Sequence, residues 1–255
     1  LRPSIVVSRL TLSQNFDSVE DRVDIVTGIE SAISGRHSGC RVLFDRNSDN
    51  IIWVTTGDAA KGDNPQDPES LNGKVLRIDK EGNGVDGNLG DPFDSRIFSY
   101  GHRNIQGITL FKEFRDDYGY GLTAEHGPNV DDEINPLKQG NFGWDPNPPY
   151  DESVPMTDLD KFPDAIEALW SSGERTIAMC GIEYFESGEF DGDILLAALK
   201  DRFILRFSIN ENNELERVEE FINDYGRIRQ IYEAENGRVF FTTDNGGNDI
   251  IGEIN

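Results

Sequence analysis

Apolar positions along this chain fall into short runs and alternations, not into helical periods. Ile5 Val6 Val7 and Val23 Asp24 Ile25 Val26, separated by polar turns, read as strands. A more regular phrase follows: a strand at Arg41 to Asp45, a polar turn at Asn47 to Asn50, a strand at Ile51 to Thr56, and a polar tip at Gly57 Asp58. The phrase returns at Gly107 to Gly127, at Gly181 to Lys200 and at Gln230 to Gly247, and two copies gain an outer strand, Lys74 to Asp79 and Phe203 to Ile209. A hairpin with an outer strand, repeated, predicts the blades of a β-propeller. Long polar loops at Ala59 to Asn72 and Asn141 to Ala165 make the spacing irregular. Pro163 to Trp170 predicts one or two helical turns, and no other stretch sustains a 3.6-residue period over about ten residues. A parallel α/β sheet lacks the helices it needs. The expected fold class is therefore all-β, with residues 1–255 forming a single propeller domain.

Length and charge narrow the picture. A chain of 255 residues can bury a large single core, and no apolar run approaches the roughly 18–20 residues of a membrane helix. The formal charge of −24, from 48 acidic against 24 basic side chains, repels nucleic-acid phosphate and anionic lipid. It suits a saline or calcium-rich medium, or simply solubility. The two cysteines, Cys40 and Cys180, exclude a disulfide-rich scaffold and a four-Cys zinc site. They leave room for one disulfide or, the reading preferred here, for two small buried thiols.

Candidate chemistry concentrates in Gly101 to Gly107 and in Glu125 His126 Gly127 Pro128, where glycine, proline and hydrogen-bonding side chains share short segments. Polar residues recur at the hairpin tips: His37, Asp58, Arg103, Glu125, Lys200, Arg227 and Arg229. Propeller topology would gather these tips at one mouth of a central channel. Four cations gathered in so acidic a chain call for an anion. Each residue alone has a plainer explanation: Arg and Lys are usually solvated or paired with an acid, and an isolated histidine is usually structural.

The runs Arg36 to Arg41, Thr55 to Asp58, Leu71 to Ile78, Gly101 to Gly107, Glu125 to Asn135 and Gly140 to Trp144 resemble, in order, the soluble quinoprotein glucose and aldose sugar dehydrogenases. The resemblance implies a six-bladed β-propeller that binds pyrroloquinoline quinone (PQQ) and calcium and oxidises an aldose to its lactone, passing electrons to an external acceptor. It also implies a periplasmic or extracellular setting. His37 then matches the general base for the sugar's anomeric hydroxyl, and Asp58 the carboxylate that orients it. Arg103 matches the guanidinium beside the quinone oxygens, and Asn104 and Gln106 match neighbouring cofactor ligands. Lys200, Arg227 and Arg229 match the cations that hold the PQQ carboxylates. The carbonyls of Gly127 and Pro128 match ligands of the calcium at the cofactor, and Glu133 matches a ligand of a second, structural calcium. For Glu133 a solvated acidic turn is the competing reading.

Three departures accompany the resemblance. The chain starts late relative to the family, so that the first blade is expected to be missing. Arg36 stands where the glucose enzymes carry an acid, and Met179 Cys180 replaces an expected Pro-Ser pair. Two rival functions stay open: a non-catalytic calcium-binding interaction module like the hedgehog-interacting proteins, and a calcium-dependent lactonase. The first predicts a degraded cofactor clamp, and the second an acidic metal site rather than a cationic mouth.

Overall fold

A computed structural model of the chain describes residues 3–254. They fall into two compact units, the first running to Asn104 and resuming over Gln139–Ala165, the second made of Ile105–Lys138 and the chain from Ile166 onward. Among the described residues the regular structure is strand, apart from one 3₁₀ turn at Gly188–Phe190, and no helix is long and apolar enough to cross a membrane.

In the first unit β1 (Ser4–Leu12) and β2 (Val19–Glu30) pair as an antiparallel hairpin. A second sheet carries β3 (Gly39–Phe44), β4 (Ile51–Thr56), β5 (Lys74–Asp79) and β6 (Ile97–Tyr100) in antiparallel succession. A two-residue segment, Gly140–Asn141, joins its far edge in parallel with β6. The residue types explain the order. β4 is an unbroken β-branched and aromatic run, and all of it but Ile51 is buried, as a central strand requires. β3 exposes every second residue, Cys40, Val42 and Phe44. Val26, Ile29, Ile52, Val54, Leu76, Ile78 and Ile97 form this unit's core.

In the second unit β7 (Ile105–Arg115), β8 (Gly119–Glu125) and β9 (Glu133–Pro136) make an antiparallel sheet, to which β10 (the edge segment Gly140–Asn141 of the first unit) does not belong and β11 (Trp170–Ser171) does. The next sheet holds β12 (Met179–Tyr184), β13 (Ile194–Ala198), β14 (Ile204–Ile209) and β15 (Leu215–Phe221). The last holds β16 (Ile228–Glu233), β17 (Val239–Thr243) and β18 (Ile251–Ile254). β13 shows how they stack. Ile194, Leu196 and Ala198 enter the core shared with Leu122 and Ile134, while Leu195 and Ala197, on the opposite face, enter the core shared with Ile231 and Phe241. The period of two thus serves two cores, and all five side chains are fully buried.

Two expectations need correction. The helical turns predicted at Pro163 to Trp170 do not form, and Leu169 instead donates its amide to the Ile134 carbonyl (2.9 Å) while Trp170 pairs with Ile134 in β11. A segment this short cannot offset helix nucleation, so strand pairing wins. The cysteines are both free, but only Cys180 is buried; Cys40 lies on the exposed face of β3.

Candidate active site

His37 sits in the loop before β3 with φ of 53°, a left-handed conformation that costs a non-glycine residue energy and needs support. The support is backbone. Ala59 N donates to the His37 carbonyl (3.1 Å), and Gly57 leaves the space beside that carbonyl open, since a Cβ there would collide with it. Asp58 is fixed in turn by its amide, which donates to the Arg103 carbonyl (2.8 Å), and by its carbonyl, which accepts from Asn64 Nδ2 (2.9 Å). Asn104 pairs with Gly57 as an isolated bridge, and its Oδ1 accepts from Gly39 N (3.0 Å).

The side chains built on this frame converge. The Asp58 carboxylate, fully buried, collects four donors: His37 Nδ1 (2.8 Å) and Ala60 N (2.7 Å) on Oδ1, Trp144 Nε1 (2.9 Å) and the Tyr150 hydroxyl (2.8 Å) on Oδ2. A carboxylate that accepts from Nδ1 fixes the imidazole as the Nδ1–H tautomer and leaves Nε2 as the acceptor. Burial, then the neighbouring Asp58 charge, pushes the Tyr150 phenol far up, so it stays protonated at neutral pH. Arg36 Nη2 lies 3.4 Å from His37 Nε2. Glu152 accepts from Arg103 Nη2 (2.5 Å) and from Arg36 Nη2 (3.2 Å). Burial works against the charge of Glu152, but the two guanidiniums outweigh it and hold the carboxyl below its ordinary range. Arg103 also lies over the Trp144 ring, 5.7 Å from its centroid.

Lys74 secures the loop behind Asp58. It is fully buried, and its Nζ donates to the carbonyls of Asn64 (2.7 Å), Asn72 (2.8 Å) and Pro65 (3.1 Å). Burial pushes its ammonium down to about 7.

The second unit holds the other predicted residues in three groups. Arg229 donates Nε to Asp244 Oδ2 (3.1 Å) and Nη1 to both Cys180 Sγ (3.1 Å) and Gln106 Oε1 (3.3 Å). Arg227 Nε donates to the Asp244 carbonyl (3.0 Å), so the two arginines and Gln106 share one neighbourhood. Lys200 is exposed, its Nζ donating to Thr176 Oγ1 (2.9 Å). In the third group Asp132, fully buried, accepts from the amides of Gly127 (2.9 Å), Ile177 (2.7 Å) and Ala178 (2.7 Å), which pins the turn that carries the Gly127 and Pro128 carbonyls. Glu133 lies opposite Glu125 in the β8–β9 register, and Asn135 Nδ2 donates to both carboxylates (3.2 and 3.3 Å). Glu133 is 5% exposed, on a strand and not in a solvated turn. Asn135 Oδ1 and, on the partner residue Thr123, Oγ1 are buried without a hydrogen-bond partner. Among the described residues no three His, Cys, Asp or Glu side chains are grouped to hold a metal, so a cation here would draw on amide, hydroxyl and carbonyl oxygens as well.

The profile of the Glucose / Sorbosone dehydrogenase family matches residues 2–252. The chain belongs to that family. It is 26% identical over 258 residues to the aldose sugar dehydrogenase YliI of Escherichia coli (strain K12), covering 94% of this chain and 66% of that one. It is 27% identical to quinoprotein glucose dehydrogenase B of Acinetobacter calcoaceticus, covering 82% of this chain and 46% of the relative. The chain thus spans between about half and two thirds of the length of these relatives. Among solved structures a glucose dehydrogenase superposes with a TM-score of 0.82 at 23% identity, covering 98% of this chain and 72% of that one. The PQQ-bound aldose sugar dehydrogenase of Streptomyces coelicolor does so at 0.77 and 24%, covering 97% and 71%. These likenesses show the fold, which is all-β and propeller-like.

Within this family member the sequence reading missed Tyr150 and Glu152. Both sit in Asn147 Pro148 Pro149 Tyr150 Asp151 Glu152, a six-residue stretch beyond the Gly140 to Trp144 motif that reads in the sequence only as part of an interrupting loop. A tyrosine and an acid beside two prolines in a loop that leaves a motif tryptophan were the available signal. Trp144 stands in the sequence as a motif residue, and nothing in the motif signals its bond to Asp58.

Proposed function

We propose that the chain carries the catalytic base and cofactor-binding residues of a PQQ- and calcium-dependent aldose dehydrogenase, which oxidises the sugar to its lactone and delivers electrons to an external acceptor. The observation that carries this reading is the buried His37–Asp58 pair, with Nδ1 tied to the carboxylate and Nε2 left as an acceptor, 3.4 Å from Arg36 Nη2. His37 Nε2 takes the proton of the anomeric hydroxyl, and Asp58 stabilises the imidazolium without itself accepting the proton. When bound, the quinone supplies the hydride-accepting centre and calcium a Lewis-acidic charge beside it. Arg103 offers its guanidinium to negative charge that develops there, with Asn104 and Gln106 as further ligands. Lys200, Arg227 and Arg229 hold the carboxylates of the cofactor. The carbonyls of Gly127 and Pro128 hold one calcium, and Glu133 helps hold a second.

The residues present fit these groups. In the Arg227, Arg229 and Gln106 neighbourhood the Arg229 guanidinium already grips a carboxylate, that of Asp244, which is the group the fork suits. Glu125, Glu133 and the orphaned Asn135 and Thr123 oxygens are the hard donors that calcium prefers. The names of the relatives support a sugar dehydrogenase, and the family resemblance supports a periplasmic or extracellular setting for it. The test is addition of PQQ and calcium to purified apoprotein, followed by dye reduction with a panel of aldoses. Turnover is the expected result. Cofactor binding without turnover would favour the interaction module instead.

A further inference from the structure

The geometry points to Tyr150 as a positioning residue that sets how tightly His37 holds its proton, acting through the second oxygen of Asp58. The inference rests on the reading of His37 as base for its meaning, but its physical content does not.

Tyr150 Oη lies 2.8 Å from Asp58 Oδ2 and 3.0 Å from His37 Nδ1. A phenol has one proton. His37 Nδ1 already gives its own proton to Asp58 Oδ1 at the shorter distance of 2.8 Å, so the phenol proton goes to Oδ2, and the phenol oxygen only flanks the Nδ1–H. Two opposed effects follow. Donation to Asp58 spreads its negative charge and weakens its pull on an imidazolium, so His37 releases its proton more readily. The lone pair beside Nδ1–H does the reverse. The first contact is charge-assisted and shorter, and such bonds are roughly twice as strong as neutral ones, so it prevails. Trp144 Nε1 acts on the same oxygen but has no atom placed to flank the imidazole in this way.

The other charged groups around His37 are accounted for. Arg36 stands 3.4 Å from Nε2 and shares Glu152 with Arg103, while Lys74 lies behind the Asp58 loop, bound to its carbonyls. Exchange of the Tyr150 hydroxyl for hydrogen touches none of these pairings. Nothing in the sequence motifs assigns Tyr150 a role.

The test is Tyr150→Phe in chain labelled at its histidines, of which there are three. The His37 signal is identified by its loss in His37→Gln, and its protonation is followed by NMR without cofactor. The midpoint should rise by about half a unit or more, the size expected when a carboxylate neighbour loses one donor. The acid limb of kcat/KM should move with it. A midpoint within about 0.2 units of the parent, or lower than it, overturns the inference. Difluorotyrosine at position 150 keeps the hydroxyl and packing while making the phenol a stronger donor, so the midpoint should fall. This second protein decides the matter if Tyr150→Phe does not fold, and a rise there equally overturns the inference. A midpoint that moves as expected in a protein that oxidises no aldose would sink the dehydrogenase reading and leave Tyr150's role standing.

Discussion

Replacement of Asp58 by Asn removes one charge and exchanges one acceptor for a donor at the most heavily bonded carboxylate of the site. If the amide nitrogen takes the place of Oδ2, it faces Trp144 Nε1–H, which cannot turn away, and the Tyr150 hydroxyl, which can rotate to accept. If it takes the place of Oδ1, it faces the immovable Ala60 N–H and His37 Nδ1. In either orientation one buried donor is left opposed, at about 1–3 kcal/mol, and the bonds that remain lose their charge assistance. Relief of a buried charge offsets part of this. The net loss is on the order of 1–3 kcal/mol, or roughly 2–10 °C in Tm for a chain of this length. The second orientation also drives the imidazole to its other tautomer and protonates Nε2, so turnover per bound cofactor should fall by about 10-fold to 10³-fold, less than for loss of the histidine itself. Thermal melting by circular dichroism and turnover normalised to bound PQQ measure the two effects. An Asp58→Asn protein that melts within about 1 °C of the parent and turns over at the parental normalised rate would refute the assignment.

His37→Gln should retain PQQ and calcium but lose roughly 10²-fold to 10⁴-fold of normalised turnover; an unchanged rate would make His37 structural only. Arg229→Ala should weaken PQQ binding by roughly 1–3 kcal/mol in a titration, since a cofactor carboxylate loses a partner whose side chain is 34% exposed, and unchanged affinity would remove Arg229 from the clamp. Chelation should lower Tm and abolish cofactor-dependent activity, with calcium restoring both; full activity in a metal-free sample would refute the metal assignment. Lys74, fully buried and held near 7, binds fewer protons folded than unfolded between about pH 7 and 10.5, so its contribution makes stability rise with pH across that window, by about 2 kcal/mol from pH 7 to 9. Urea titrations of Lys74→Met at those two pH values should lose that rise, and an equal slope in parent and variant would show that Lys74 does not titrate there.

Strands with buried apolar runs were legible in the sequence because their pattern and their burial agree: β4, β5, β13 and β14 fall within the stretches that the pattern marks. The short edge strands were not. Glu133–Pro136 reads as an acidic turn because its pairing partners, Leu122 to Glu125, lie in β8 and contribute nothing to the local pattern. The edge strand Leu215–Phe221 is charged and largely exposed, so it lacks the alternation that marks a strand. In the candidate site, motifs pointed to His37 and Asp58, which the fold brings into contact, because each stands in a run of characteristic residues. Tyr150 and Glu152 remained hidden because the loop that carries them is specified by where it lands, more than 90 residues from Asp58 in the case of Tyr150, and not by any period of its own.

The seat of His37 has a consequence for anyone who would transplant or trace this chemistry. The imidazole is held by a backbone that only works because position 57 has no side chain, so the seat of the histidine stands or falls with Gly57. A descendant that kept His37 and Asp58 but acquired alanine at 57 would look intact in a comparison of functional side chains and yet have its histidine carbonyl displaced. Conversely, a designer who copies only the ionisable groups onto another loop carries over the letters of the site without its footing. The sensitive indicator of whether a related chain keeps the proposed site is then its smallest residue, which takes no part in the proposed proton transfer.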